Sequence, residues 1–393
     1  MTSTPQRGIG TAETILGAAV MVVAGVLPIA LLAAFAVRIE DTLGISDAAV
    51  GAALSVFFAV SVLFAVPAGR LADRLGPTKA LTVAAALTMA SLLGAAGLAR
   101  NYPTLLGFFV VGGIGQALAA PTANVIVAAG IRPERIGFAM GVKQASVPLG
   151  SFIAGIAVTV TADDVSWRWP FALAAVIPAI AIGNAYRIRR GGPGDVSVLP
   201  VRQGAAATVR GLWRFVAAGG LCTFTASAVT GFVVLGLVDA GYSEATAGIV
   251  LSVAGLASIA ARVGSGYLKD RIQFATLHGV VVLLLSGTLG FAFMVSGLPV
   301  LVPIGAVVAF SAGWGWPALF QLSLIEMYPA APGAATGVAR LGLAGGNSIG
   351  PLFFGIMFEL YGYRTGWAIA GLGMVAAAWA VRAAGKHAAR MAA

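Results

Sequence analysis

An internal repeat divides the chain into two similar halves. The stretch Gly69–Arg74 returns as Gly266–Arg271, an offset of 197 residues in a chain of 393. The stretch Gly44–Asp47 returns at the same offset as Gly241–Glu244. Three more landmarks recur 196 residues on: Gly141 as Gly337, Pro121 as Pro317, and Trp167-Arg168 as Tyr363-Arg364. Both copies are mostly apolar. Many secondary transporters are built from two such halves, with the substrate site between them.

The composition indicates that most of this chain is surrounded by lipid and not by water. Hydrophobic residues make up 59% of the sequence and charged residues 10%, against roughly 25% charged residues in soluble proteins. The net charge of +10 could point to nucleic acid, but the basic residues are scattered through short loops and form no stripe on a soluble domain. We therefore expect no nucleic-acid partner. Because Cys222 is the only cysteine, the chain has no intramolecular disulfide and no cysteine-based metal site. We expect neither a metal nor a cofactor.

Twelve apolar windows are long enough to cross a membrane, which takes about 20 residues of helix. We number them spans 1 to 12: 14–37, 46–68, 78–99, 103–129, 137–160, 169–188, 212–238, 244–265, 276–296, 299–326, 334–358 and 366–385. Only helices satisfy the backbone of such segments within lipid. The sequence predicts an all-α membrane protein of twelve transmembrane helices in two pseudo-symmetric six-helix halves. The predicted domains are an N-terminal bundle (1–188), a cytoplasmic linker (189–211) and a C-terminal bundle (212–393).

The basic residues predict the orientation, since cytoplasmic loops are enriched in Lys and Arg. With both termini in the cytoplasm, all but four of the 24 Lys and Arg residues lie on the inner side. No loop is long enough for a soluble module, so we do not expect an enzyme with a loop-borne active site. The excess of Arg over Lys, with abundant Ala and Gly, indicates a GC-rich bacterial genome. We therefore predict a multi-pass protein of a bacterial inner membrane with both termini in the cytoplasm.

The loop between spans 2 and 3 carries a motif. It reads Gly69-x-Leu71-Ala72-Asp73-Arg74-x-Gly76-x-x-Lys79. This stretch resembles the signature loop of the major facilitator superfamily, and its weaker copy between spans 8 and 9 lies where that family has one. The resemblance extends over the whole chain. One departure is Pro77-Thr78, which replaces the usual pair of basic residues after the second glycine.

The resemblance implies a gate at the cytoplasmic side. In that family, contacts of this loop hold the cytoplasmic side shut in the outward-facing state, and the residues that would carry this role are Gly69, Asp73, Arg74, Gly76, Asp270 and Arg271. Glycine permits close helix approach and tight turns. Asp73 could lie near a helix N-terminus of the other half, where the helix dipole favours an anion. The alternative is that Arg74 and Arg271 only enforce topology.

Two patterns depart from the drug/proton antiporters of that family. Their span 4 carries an arginine where this chain has Phe109, and the glycine pattern of their span 5 is interrupted at Ala154-Gly155. The same glycine pattern is better kept in span 11, at Gly337, Gly346 and Gly350-Pro351. Both departures count against proton-driven drug efflux. The glycines can also be explained by close helix packing alone.

Basic and amide side chains lie within the predicted spans, at depth in the membrane. Ionisable residues are costly there and tend to mark the pathway of a substrate or ion. Asp and Glu are absent from the middle of every span. Arg340 and Asn347 are seven residues apart and share a helix face. The candidate substrate-binding residues are Arg340, Lys143, Gln144, Asn347, Gln116, Asn124, Trp316 and Gln321. Alternatively, Lys143 and Arg340 snorkel to the cytoplasmic interface, and Trp316 is packing.

These observations predict a secondary carrier that moves a small solute by alternating access. The favoured solute is a small organic or inorganic anion, held by Arg340 and Lys143. We expect a monomer whose partners are a small-molecule substrate, the lipid bilayer and, if transport is coupled, a proton. Two alternatives stay open: efflux of hydrophobic drug-like compounds, and a non-transporting sensor on the same fold. The sequence sets neither the substrate nor the direction of transport.

Overall fold

The computed structural model describes residues 11–128, 136–161, 165–190, 212–272, 274–329 and 331–392. Helices occupy all twelve predicted windows within these ranges. Seven helices are long and apolar enough to cross a membrane, or nine if each of two bent pairs is one span. The longest of them holds both span 11 and span 12, and shorter apolar helices occupy spans 5 and 10. Most of the predicted linker, residues 191–211, lies outside the described residues.

The first half contains two bent segments. Span 1 is followed after a 66° bend by a short helix, and span 2 bends by 54° near its middle. The helices are Thr11–Ala34 (span 1), Ala36–Leu43, Asp47–Leu63 and Ala65–Leu75 (span 2), Pro77–Gly97 (span 3), Tyr102–Ala128 (span 4), Ile136–Val160 (span 5), and Arg168–Ala174 with Val176–Arg190 (span 6).

The second half contains one broken span and one merged pair. The helices are Leu212–Asp239 (span 7), Glu244–Arg271 (span 8), Thr276–Ser296 (span 9), Leu301–Ser311 with Pro317–Met327 (span 10), and Pro332–Ala392 (spans 11 and 12). Gly362, with a φ of 77°, interrupts the last helix between its two spans. Span 10 resumes at Pro317, since proline suits the first position of a helix, where no N–H is needed.

The repeated Gly-x-Ser-acid motif is a turn followed by a helix start. Gly44 and Gly241 have φ values of 64° and 90°, a left-handed conformation that glycine adopts without a steric penalty. Ser243 then caps span 8 by accepting a hydrogen bond from a backbone N–H three residues on. Asp47 and Glu244 occupy the first helical position, where a negative charge complements the helix dipole.

The repeated aromatic-arginine pair places an arginine at the end of span 3 and of span 9. Arg168 donates to the backbone carbonyl of Ala99 at 2.6 Å and to those of Ala95 and Ala96. These carbonyls end span 3, and the last carbonyls of a helix have no donor within the helix itself. Arg364 lies against Gly297 at the end of span 9. The repeat at this landmark therefore preserves the position of the arginine, and the hydrogen bonds to helix-end carbonyls are those of Arg168.

Glycines bring the two halves into contact at repeat-related places. A Cβ on Gly155 of span 5 would lie 2.7 Å from the carbonyl oxygen of Gly248 in span 8. A Cβ on Gly51 of span 2 would overlap the carbonyl of Pro351 in span 11. Within one half, Gly350 packs against Ser227 of span 7. Close packing thus accounts for the glycines of the pattern in spans 5 and 11, except Gly337, around which the space is open.

The halves meet differently at the two ends of the molecule. We call these the Glu244 end, which carries the turns before spans 2 and 8, and the Asp73 end, which carries the loops after them. At the Glu244 end, Arg38 Nε lies 2.6 Å from Glu244 Oε2, and the Tyr363 hydroxyl donates to Asp47 Oδ1 at 2.8 Å. Both contacts join one half to the other, so this end is closed.

The Asp73 end is parted between spans 2 and 11. The segment Ala65–Leu75 of span 2 packs against spans 3 and 4 of its own half. A Cβ added at Gly69 in span 2, or at Gly337 in span 11, would have nothing within 4 Å. Spans 5 and 8, by contrast, touch from Gly155 to Gly141, whose added Cβ would lie 2.6 Å from the carbonyl oxygen of Arg262.

Candidate functional site

Arg340 is an accessible cation without an acidic partner. It lies in the first part of span 11 and is exposed, although enough protein surrounds it to remove part of its hydration. It forms no hydrogen bond or ion pair with any residue that the structure describes. Asn347, two turns further along the same helix, is half-buried.

The amide candidates are distributed unevenly. Gln144 and Gln321 are half-buried, and Gln144 offers its backbone carbonyl to a neighbour described below. Gln116 of span 4 has a buried Oε1 that lies against Gly25 of span 1 and has no hydrogen-bond partner among the described residues. The side chains of Lys143 and Asn124 lie outside the described part of the chain.

Trp316 is packed in the interior. Its side chain is fully buried, and its ring meets that of Phe320 edge-on with centroids 5.5 Å apart. The indole N–H has no hydrogen-bond partner within the described ranges. In this conformation, the packing alternative therefore describes Trp316 better than contact with a ligand.

Arg262 is a buried cation that the sequence reasoning missed. It lies in span 8 and is only 1% exposed. Its Nη1 donates to the carbonyl of Gln144 at 2.6 Å, and its Nη2 donates to the carbonyl of Trp314 at 2.6 Å. The guanidinium carbon lies 4.4 Å from the centroid of the Trp314 ring, and Nε has no partner among the described residues. An arginine inside the apolar window 244–265 was the available signal.

Both carbonyls that hold Arg262 belong to interrupted helices. An α-helical carbonyl accepts from the N–H four residues on, and four residues after Gln144 stands Pro148, which has no N–H. Trp314 lies in the break of span 10, residues 312–316, where the chain is a series of turns. The breaks leave these acceptors free, and buried acceptors need a donor.

The charged residues of the predicted gate are exposed. Asp73 and Arg74 are exposed and form no hydrogen bond or ion pair with the described part of the chain. Asp270 and Arg271 are also exposed, with the Arg271 guanidinium 5.2 Å from the centroid of the Tyr267 ring.

The two glycines of the gating motif behave differently. Gly76 has a φ of 76° and ends the helix Ala65–Leu75, so the predicted tight turn is present. The predicted close approach at Gly69 is not made in this conformation, since the space around Gly69 is open.

Few charged residues lie at depth within the described parts of the spans. Among the described residues, Arg262 and Arg340 are the charged groups at depth in the spans, carboxylates lie near span ends, and no cluster of metal-ligating side chains occurs. Two repeat-related helical halves, closed on one side and parted on the other, define a polytopic membrane transporter. Residues 11–338 match the family model described as Major Facilitator Superfamily. The chain belongs to this family.

Similar sequences are transporters too. Two MFS-type transporters of Mycobacterium tuberculosis, one from each of two strains and both named as uncharacterized, are 23% identical over 360 residues, which covers 86% of this chain and 78% of theirs. A hexuronate transporter of Bacillus subtilis is 31% identical over 143 residues, covering 36% of this chain and 33% of that protein.

Solved structures share the fold. A D-xylose-proton symporter superposes with a TM-score of 0.74 at 18% identity, covering 94% of this chain and 97% of that one. The nucleoside transporter NupG gives 0.73 at 16% identity, covering 94% and 99%. A bacterial homolog of the human lysosomal transporter Spinster, inward-facing and unoccupied, gives 0.70 at 16% identity, covering 98% and 96%. As a member of the Major Facilitator Superfamily, the chain is a multi-pass membrane transporter and not an enzyme.

Proposed function

We propose that the chain moves a small organic or inorganic anion by alternating access across a bacterial inner membrane, with both termini in the cytoplasm. In this orientation the Asp73 end is cytoplasmic, and the described conformation faces inward. The observation that carries the proposal is Arg340, an exposed arginine of span 11 that has no acidic partner among the described residues.

An anionic substrate would relieve the cost of that guanidinium. An unpaired charge is unfavourable where protein and lipid exclude water. A planar guanidinium matches a carboxylate or phosphate with two parallel hydrogen bonds. Lys143 would add charge, and the amides of Gln144, Asn347 and Gln321 would orient the ligand. Gln144 and Arg340 are repeat-equivalent, so they would approach the ligand from opposite halves.

The relatives agree with this class in part. A hexuronate is a carboxylate, so the substrate in the name of the Bacillus subtilis relative fits an anion site. D-xylose and nucleosides, in the names of two structural neighbours, are not carboxylates, but similarity at 16–18% identity carries over the fold alone.

The gate proposal rests on the parted Asp73 end. Asp73 has no partner there among the described residues, and span 11 of the other half begins at Pro332. When the cytoplasmic side closes, Asp73 would meet that helix N-terminus, where the dipole stabilises an anion. Asp270 and Arg271 would serve the second copy of the loop. The bundles 1–188 and 212–393, joined by 189–211, would be the moving bodies of a monomer.

Efflux of hydrophobic compounds is less well supported. This alternative requires aromatic side chains that can contact a hydrophobic ligand. Trp316 instead packs against Phe320 and is buried. A buried indole offers no surface to a ligand. We therefore rank the anion first.

Transport by purified protein in proteoliposomes tests the proposal, with a panel of labelled organic and inorganic anions beside sugars and organic cations. Arg340→Lys and Arg340→Gln should both lower affinity for the best anion, because the point charge of Lys cannot reproduce the guanidinium fork. Lys143→Gln should have a smaller effect. Arg382→Gln, which removes an exposed arginine of span 12, is the matched control and should transport normally. Normal transport by Arg340→Gln, or a neutral or cationic best substrate, would contradict the assignment.

A further inference from the structure

Arg262 touches both halves of the protein with one side chain. Its Nη2 bond to the Trp314 carbonyl stays within the second half, whereas its Nη1 bond to the Gln144 carbonyl crosses to span 5 of the first half. The side chain is 1% exposed. Spans 5 and 8 are also in backbone contact here, because Gly141 lies against the Arg262 carbonyl. Water therefore cannot replace either carbonyl while the spans stay together.

The position of Arg262 along span 8 shows which end of the molecule this contact is nearer. Span 8 is a helix of 28 residues that starts at Glu244, and Arg262 lies about 27 Å from that start at 1.5 Å per residue. The contact is therefore in the half of the interface nearer the Asp73 end. At this end spans 2 and 11 are already parted, whereas spans 5 and 8 are held.

Arg168 shows what the same chemistry does inside one half. Its guanidinium lies 4.6 Å from the centroid of the Trp167 ring and donates to the carbonyl of Ala99 at 2.6 Å. All of these partners belong to the first half. Arg262 has the same kind of indole and carbonyl partners, but one of them belongs to the opposite half.

We propose that Arg262 is a clasp between spans 5 and 8, and that its release from the Gln144 carbonyl is a separate step in opening the interior to the Asp73 end. The proposal rests on the alternating access proposed above. Parting the two spans must break a charge-assisted hydrogen bond, a stronger class than neutral ones. The clasp is reversible because the Gln144 carbonyl, lacking a helical donor at Pro148, has no competing partner in span 5.

A single buried cysteine can report on the clasp. Ser258 lies one turn before Arg262 on the same face of span 8, is fully buried, and its hydroxyl has no partner among the described residues. Ser258→Cys is close to isosteric. The native Cys222 is buried, so labelling of the parent protein sets the background. In inside-out vesicles, a membrane-impermeant thiol reagent reaches the new cysteine only when spans 5 and 8 part.

Three variants in this background test the clasp. Arg262→Met should raise the labelling rate about tenfold or more, the effect of losing one hydrogen bond to a charged group. Pro148→Ala should also raise it, because alanine at this position would supply the missing helical N–H and compete for the Gln144 carbonyl. The double variant should label no faster than Arg262→Met, since both changes break one contact. Arg168→Met, which removes carbonyl and indole contacts within one half, should label at the parental rate.

The outcomes separate the clasp from the function on which it rests. Parental labelling in both Arg262→Met and Pro148→Ala, each confirmed as folded by size-exclusion chromatography, would overturn the clasp. Because Pro148→Ala leaves the arginine in place, misfolding of Arg262→Met would not remove the test. If the clasp variants respond but no anion is transported, only the substrate class is wrong. If neither end of the protein ever changes accessibility, including in the glycine variants described below, alternating access itself is wrong.

Discussion

Gly155→Ala should open the Glu244 end of the carrier. The new Cβ would lie 2.7 Å from the carbonyl oxygen of Gly248 and 2.7 Å from the backbone N of Ser252. Contacts below 3.0 Å essentially never occur for a real Cβ, and both obstructing atoms are backbone and cannot rotate aside. Spans 5 and 8 would have to move apart at this end.

The size of the effect follows from where the strain falls. Forcing an extra methyl group into a well-packed contact costs about 1–3 kcal/mol. Parting spans 5 and 8 at the Glu244 end would relieve this contact, so the cost should shift the equilibrium toward a conformation open at this end. At about 1.4 kcal/mol for each factor of ten, the open population should rise about 5- to 150-fold.

Thiol labelling of intact cells from outside measures this shift. The reporter is Ser55→Cys in span 2, because Ser55 is 6% exposed and accepts a hydrogen bond from the Leu352 N–H across the closed interface. Gly345→Ala is the control, since its Cβ would have nothing within 4 Å. Gly51→Ala, which obstructs the repeat-related contact with the Pro351 carbonyl, should act in the same direction as Gly155→Ala. A folded Gly155→Ala protein that labels like the Gly345→Ala control would refute the reasoning.

Three further predictions concern the Arg38–Glu244 pair, the proposed latch at Asp73 and the topology. Glu244→Gln should raise labelling of the same outer reporter about tenfold, because it weakens the charge-assisted bond to Arg38; unchanged labelling would show that this pair does not hold the end closed. Asp73→Asn should leave the folded carrier in the membrane but slow its turnover, measured as uptake in proteoliposomes, and turnover at the wild-type rate would exclude the latch. Reporter fusions after Ala393 and within 191–208 should both read cytoplasmic, and a periplasmic reading of either would reverse the proposed topology.

Hydropathy was sufficient to predict the spans. In lipid every backbone group must be satisfied within its own segment, so twelve long apolar windows could only be helices. The loop motif added the turn at Gly76, which has the positive φ value of a tight turn, and the repeat landmarks Gly44 and Gly241 have positive φ values as well. These features depend on interactions between residues that are close in the sequence, and such interactions can be predicted from a single sequence.

Features that depend on neighbouring helices were not predictable in the same way. Span 2 bends near Phe64 and span 10 breaks over 312–316, and both interruptions lie within windows that are mostly apolar. The same apolarity hides which side of span 10 faces inward, so Trp316 could not be assigned to packing until Phe320 was seen against it. Arg262 was overlooked because its partners are carbonyls, which every residue has.

Comparison of the two halves indicates which residues carry more than the fold. Residues that repeat, such as Gly51 and Gly248 or Arg168 and Arg364, form close helix contacts or lie at helix ends in both halves. Arg262 has no such counterpart: the residue 197 positions earlier is Ala65, at the bend of span 2. A duplicated fold does not need a buried charge in only one of its copies, and burying one is costly. The proposed clasp therefore depends on a residue that only the second half has. The opening step that it would control is not duplicated by the repeat.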